Sequence, residues 1–125
     1  MKNTIYRSGV VGCGRIGSLF DSDKKREIIS SHCGAYANHP RTELVSVCDI
    51  DSEKAIRCKK QWDVRSHYIN YEEMLNNENI DILSICTHAD SHEDIVLAAV
   101  KNGVKAIFCE KPISNSLNSA KRIIN

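Results

Sequence analysis

Four short runs, Ile5–Val11, Glu43–Cys48, Ile80–Cys86 and Val104–Cys109, are β-branched and nearly continuous in hydrophobicity, and longer amphipathic stretches separate them. A strand with one wet face alternates apolar and polar residues, whereas a strand covered on both faces does not. Buried strands alternating with helical stretches predict an α/β chain with a doubly wound, mostly parallel sheet. Counting a weaker run at Arg65–Tyr68 gives about five strands, within one domain spanning residues 1–125.

The intervening stretches carry helix signals. Asp51 or Ser52 is placed to cap a helix reaching Gln61 or Trp62, with Ala55, Ile56 and Cys58 toward the sheet. Asn70 with Glu73, and Ser91 with Asp94, have capping-box spacing, and Gly103 is a natural stop for the helix after Ser91. In that helix Ile95, Val96, Ala98 and Ala99 are predicted to face inward. The polar segment 21–31, DSDKKREIISS, reads as a surface loop.

Composition narrows the function classes. A formal net charge of +1 without a Lys/Arg tract argues against a nucleic-acid partner, and no apolar run is long enough for a signal peptide or a membrane span. The six cysteines show no C-x-x-C pair, and Cys48, Cys86 and Cys109 close apolar runs, where a free thiol acts as a small hydrophobe. A reduced, cytoplasmic protein is expected.

The first run leads directly into VVGCGRIG, which holds G-x-G-x-x-G at Gly12, Gly14 and Gly17 and opens a predicted helix through Ile16, Leu19 and Phe20. In this context Gly12 permits the tight turn, Gly14 lets a pyrophosphate approach the backbone, and Gly17 allows close helix packing. Helix-start N–H groups would carry the phosphate charge, with Arg15 either adding a charge contact or facing solvent. The second run ends in Asp49, whose carboxylate would accept hydrogen bonds from both ribose hydroxyls and repel a 2′-phosphate, favouring NAD over NADP. Asp49 follows Gly17 at a longer interval than usual, for which the 21–31 insert accounts. S-adenosylmethionine enzymes also pair a glycine turn with an acidic strand end, so these features leave the cofactor open.

The last run ends in AIFCEKPIS, where Glu110 and Lys111 follow buried-strand residues directly and Pro112 stops the strand. From the residues alone, Lys111 is either a solvated lysine with Glu110 as surface partner or a proton acceptor at the ligand crevice. His88 and His92 lie four apart with no third metal ligand in evidence, so no metal site is predicted.

Taken together, VVGCGRIG, AYANHPRTELVSVCD, YEEMLNNENIDILSICTHADSH and CEKPIS make the chain resemble the N-terminal Rossmann domain of the Gfo/Idh/MocA oxidoreductases. The resemblance spans nearly all of the chain, and the Glu-Lys-Pro motif is its most specific part. It implies that Lys111 lies beside the nicotinamide as proton donor/acceptor or orienting group, with Glu110 supporting it and Pro112 fixing the turn. It also implies cofactor contacts from Gly12, Gly14, Arg15, Ile16, Gly17, Asp49, Thr87, His92, Glu110, Lys111 and Pro112. One departure is plain: where the family has Thr-Pro-Asn-x-x-His, this chain reads Thr87-His88-Ala89-Asp90-Ser91-His92, keeping only the threonine and the last histidine.

The resemblance further implies a C-terminal α/β substrate domain and a sixth Rossmann strand, neither contained in residues 1–125. The expected function is therefore the NAD-binding part of a larger oxidoreductase, a homo-oligomer, acting on a sugar, sugar derivative or polyol. A non-catalytic dinucleotide-binding module, a sensor or a partner subunit, is the competing expectation.

Overall fold

Every strand pairing is parallel, and the sheet runs in the order β3-β2-β1-β4-β5. The computed structural model describes residues 4–24 and 28–125. In chain order these form β1 (Tyr6–Val11), a 3₁₀ turn (Leu19–Ser22), α1 (His32–Asn38), β2 (Thr42–Cys48), α2 (Ser52–Trp62), β3 (Ser66–Tyr68) and α3 (Tyr71–Asn77). They continue as β4 (Ile82–Ile85), a second 3₁₀ turn (Ala89–Ser91), α4 (His92–Lys101), β5 (Ala106–Cys109) and α5 (Leu117–Ile124). The predicted Rossmann-like α/β sheet of five strands is the observed one. The order reverses between β1 and β4, and such a switch point opens a crevice at the carboxyl ends of the strands.

Successive strand residues feed opposite cores, which is why the runs lack polar alternation. Val11, Val45, Cys48, Leu83 and Ile85 pack with α3 and α4 through Met74, Leu75, Ile95, Val96 and Ala99. On the other face Val10, Leu44 and Val47 pack with Cys33 of α1 and Cys58 of α2. The first core also receives Ile123 of α5, and Arg122 of α5 pairs with Glu93 of α4.

Most helix signals act as read. Asp51 accepts the N–H groups of Glu53 and Lys54, and Asp63, at φ 53°, ends α2 in the left-handed region. Asn70 likewise accepts from Glu72 and Glu73, and Gly103, at φ 79°, stops α4. Two expectations are corrected. Ile56 lies on the outer side of α2 and is 38% exposed, because Ala55 and Cys58 fill the sheet side. Ser91 does not cap α4: its hydroxyl lies 2.6 Å from Thr87 Oγ1 and 2.8 Å from the carbonyl of His88, inside the 3₁₀ turn that precedes the helix.

A third correction concerns the helix expected straight after the glycine turn. It begins, with Ser18 N–H reaching the Gly14 carbonyl at 3.0 Å, and then breaks into the 3₁₀ turn. The Ile16 and Gly17 carbonyls, which residues 20 and 21 would bond in an unbroken helix, instead accept from His32 and Cys33, each at 2.9 Å. The helix is thus resumed by α1 on the far side of the insert. Asp21 closes the neck: Oδ1 accepts Ser30 N–H at 2.6 Å, and Oδ2 accepts Ser31 N–H at 3.1 Å and the Ser31 hydroxyl. Ser31 in turn caps α1 by accepting Gly34 N–H at 3.0 Å. Part of the predicted surface loop is therefore an anchored structure; residues 25–27 lie outside the described residues.

Candidate functional site at the carboxyl edge of the sheet

The residues following β1, β2, β4 and β5 converge on one edge, because parallel strands all point their carboxyl ends the same way. The edge is laced by backbone bonds: Gly12 N–H to Cys48 O at 2.7 Å, Cys86 N–H to Val11 O at 2.7 Å, and Glu110 N–H to Ile85 O at 2.9 Å. Gly12, Asp49, Thr87 and Glu110 are thereby set side by side along the crevice.

Each fingerprint glycine has its own geometric reason. Gly12 has φ 101°, and a Cβ there would sit 2.6 Å from the Cys86 carbonyl carbon. A Cβ on Gly17 would lie 2.0 Å from the Gly12 carbonyl oxygen, so the turn closes only with hydrogen at that place. Around Gly14 nothing lies within 4 Å of the Cβ position. That side of the turn is open, as a backbone that receives a phosphate must be. Arg15 is exposed beside it, and Ile16 is half-buried. Ser18 is fully buried and fastens the turn to α2, accepting from Trp62 Nε1 at 2.9 Å and bonding Gln61 Oε1 at 3.0 Å.

Asp49 sits just past β2 with its carboxylate turned toward the glycine turn. Its Oδ2 accepts Cys13 N–H at 2.9 Å and its Oδ1 accepts Asp51 N–H at 2.9 Å. Each oxygen keeps a second lone pair, so capacity for further donors remains. Near β4, His92 is fully buried, with Nε2 2.9 Å from the Thr87 carbonyl and Nδ1 3.1 Å from the Ile113 carbonyl. His92 thus joins the loop after β4 to the loop after β5 and presents no surface to the crevice. His88, its sequence neighbour at four residues, is exposed, and among the described residues no group of three or more metal-binding side chains gathers.

The Glu-Lys-Pro loop is held from the other face of the sheet as well. Glu110 Oε1 is 2.7 Å from Nε2 of His32, whose Nδ1 is 2.8 Å from the Ser84 hydroxyl. That hydroxyl lies 2.6 Å from the Tyr36 phenol oxygen. The His32 hydrogen bond, aided by the Lys111 backbone N–H and charge, holds the Glu110 carboxyl below the usual carboxylate range. Lys111 itself is exposed, as are Pro112 and Ile113.

His32, Ser84 and Tyr36 escaped sequence reasoning. The insert carries His32 far along the chain from Gly17, although the resumed helix returns it to the turn. Ser84 was hidden inside an apolar run. Cys48 is buried and Cys86 half-buried, and loss of hydration pushes each of these two thiols up to about 12, away from the reactive thiolate.

Comparison with known proteins agrees with this geometry. The inositol 2-dehydrogenase of Salmonella typhimurium is 29% identical over 119 residues, covering 94% of this chain and 32% of that protein. The crystal structure of myo-inositol 2-dehydrogenase from Lactobacillus plantarum superposes with a TM-score of 0.81 at 26% identity, covering 97% of this chain and 32% of that one. The WlbA dehydrogenase of Bordetella pertussis, solved in complex with NADH and UDP-GlcNAcA, gives a TM-score of 0.79 at 27% identity, covering 96% of this chain and 33% of that one. The chain thus spans about a third of the length of the relatives it matches. The family model for oxidoreductases with an NAD-binding Rossmann fold matches residues 6–125, and the chain belongs to that family, Gfo/Idh/MocA.

Proposed function

We propose that this chain is the NAD-binding domain of an oxidoreductase that moves a hydride between NAD and a hydroxyl-bearing carbon of a sugar, sugar derivative or polyol. The observation that carries the reading is the shared edge: an open glycine turn, a strand-end carboxylate at Asp49 and the Glu-Lys-Pro loop lie along one crevice. The cofactor, when bound, supplies the hydride acceptor. The chain's residues do the rest. Gly14 and the N–H groups of the turn take the pyrophosphate, and the free lone pairs of Asp49 take the ribose hydroxyls. Asp49 disfavours a 2′-phosphate by like charge, so NAD is the preferred form. Lys111 accepts the hydroxyl proton at Nζ, Glu110 and Pro112 fix the direction of the loop, and Thr87 and His92 hold the adjoining loop in place. Substrate selection falls to the C-terminal α/β domain that the family resemblance implies.

Calorimetric titration of the chain with NADH and NADPH tests the cofactor reading. Tighter binding of NADH is expected, and equal or tighter binding of NADPH would remove the argument from Asp49.

The same chain is proposed to self-associate. β5 is an edge strand, and its Phe108 is 58% exposed on the α1 face. An apolar edge of this kind is a template for pairing. Sedimentation should show dimers or larger species; a monomer at high concentration would refute the idea.

A further inference from the structure

We infer that His32 is the positioning residue of the Glu-Lys-Pro loop: a hydrogen-bond chain from Tyr36 through Ser84 and His32 fixes the Glu110 carboxylate and, through it, the direction in which Lys111 enters the crevice. The inference deepens the proposed function and rests on it only for its effect on turnover.

The chain of bonds has a direction set by its end. An ionised carboxylate only accepts, so His32 donates from Nε2 to Glu110 over 2.7 Å. In the neutral imidazole, with its one proton on Nε2, Nδ1 accepts the Ser84 hydroxyl proton over 2.8 Å, which leaves Ser84 Oγ to accept the Tyr36 phenol proton over 2.6 Å. Every donor then has one acceptor, and none competes. The charged and titratable groups that face this array are Lys111 on the same loop, Cys33 on α1, Cys86 beyond β4 and Cys109 on β5. Of these only Lys111 carries positive charge, and it adds to the pull of His32 on Glu110.

Position argues that the array has a purpose beyond filling space. Ser84 is fully buried and lies in register with Val10 of β1, which in turn pairs with Val47 of β2. The same row of the sheet is thus apolar in two strands and polar in the one beside β5. A valine would satisfy packing there, and a buried hydroxyl is tolerated only because it is bonded. Phe108 closes over the ring edge-on, with centroids 4.8 Å apart, which limits rotation of the imidazole. From the opposite face, His92 holds the Ile113 carbonyl at 3.1 Å, so two histidines grip the loop on either side of Lys111 and Pro112.

Ser84→Ala is the informative variant, because it cuts the chain of bonds one residue away from His32 and leaves packing intact. In a catalytically complete protein carrying this domain, kcat should fall about tenfold, in keeping with the cost of a misplaced reacting group, while KM for NAD stays within about twofold. His32→Phe should fall further in the same pattern, and Ser84→Thr, which restores the hydroxyl, should recover most of the loss. If Ser84→Ala and His32→Phe both keep kcat within about twofold while Lys111→Ala abolishes turnover, His32 has no positioning role and the proposed function stands. If Lys111→Ala itself keeps turnover, Lys111 is not the proton acceptor, kcat no longer reads its placement, and the decision passes to nitrogen NMR of the imidazole in the present chain. There, His32 should carry its proton on Nε2, and Ser84→Ala should change that signal together with the Lys111 amide. An unchanged His32 signal, or a changed one with an unmoved Lys111 amide, would overturn the inference.

Discussion

Asp49 Oδ2 accepts the backbone N–H of Cys13 at 2.9 Å, so the residue proposed to read the ribose also holds the glycine turn in shape. Asp49→Ala therefore does two things at once. It should weaken NADH binding and narrow the gap to NADPH, because hydrogen bonds and a repulsive charge disappear together. It should also destabilise the fold by about 1–3 kcal/mol, since the amides of Cys13 and Asp51 lose their acceptor. Paired titrations and urea melts of the variant separate the two effects; an undiminished preference for NADH would assign discrimination to another group.

The glycines of the turn should separate stability from binding. Gly14→Ala meets open space, so its melting temperature should match that of the parent while affinity for NADH drops at least tenfold. Gly17→Ala places a methyl 2.0 Å from the Gly12 carbonyl oxygen and should lower stability by several kcal/mol, about the cost of overpacking or more. A Gly14→Ala chain that bound NADH normally would locate the pyrophosphate elsewhere.

Lys111→Ala, in a complete protein carrying this domain, should reduce kcat by about two to four orders of magnitude, the range for losing a general acid or base. The affinity for NAD should change much less. Turnover within about threefold of the parent would make Lys111 an orienting group and send the search for the proton acceptor to other residues of the complete protein.

Glu110 gives a pH signature. Its carboxyl is held below the usual range by His32 first, then by the Lys111 amide and charge. A depressed folded-state pKa contributes stability above the unfolded value, and that contribution is lost as pH falls through the folded one. Acid unfolding of the parent should therefore be steeper below about pH 4.5 than that of Glu110→Gln, whose amide does not titrate. Superimposable acid profiles would show that the His32 pairing adds nothing to folding.

How far the sequence was legible depended on how local each signal was. Strand positions came from continuous runs such as Ile80–Cys86, because burial on both faces leaves a mark on every residue. Asp51 and Asn70 were readable as caps because a cap acts within three residues of itself. Ser91 had the same spacing and failed, since Thr87 and His88 offered its hydroxyl nearer partners. The bond between His32 and Glu110 joins opposite ends of the chain, and no local pattern announces it. Even the break in the first helix was invisible, because the resuming bonds reach over the insert to carbonyls that a continuous helix would also have used.

That break has an evolutionary consequence. The Ile16 and Gly17 carbonyls hold His32 and Cys33 in place whatever path the chain takes between them, and Asp21 ties off the detour at its base. The entropy of closing such a detour grows only slowly with its length. Residues can therefore be gained or lost there by drift at little thermodynamic penalty, with the phosphate turn shielded from the change. The detour is thus a place on this domain where a lineage can change length and sequence without first breaking the turn beside it.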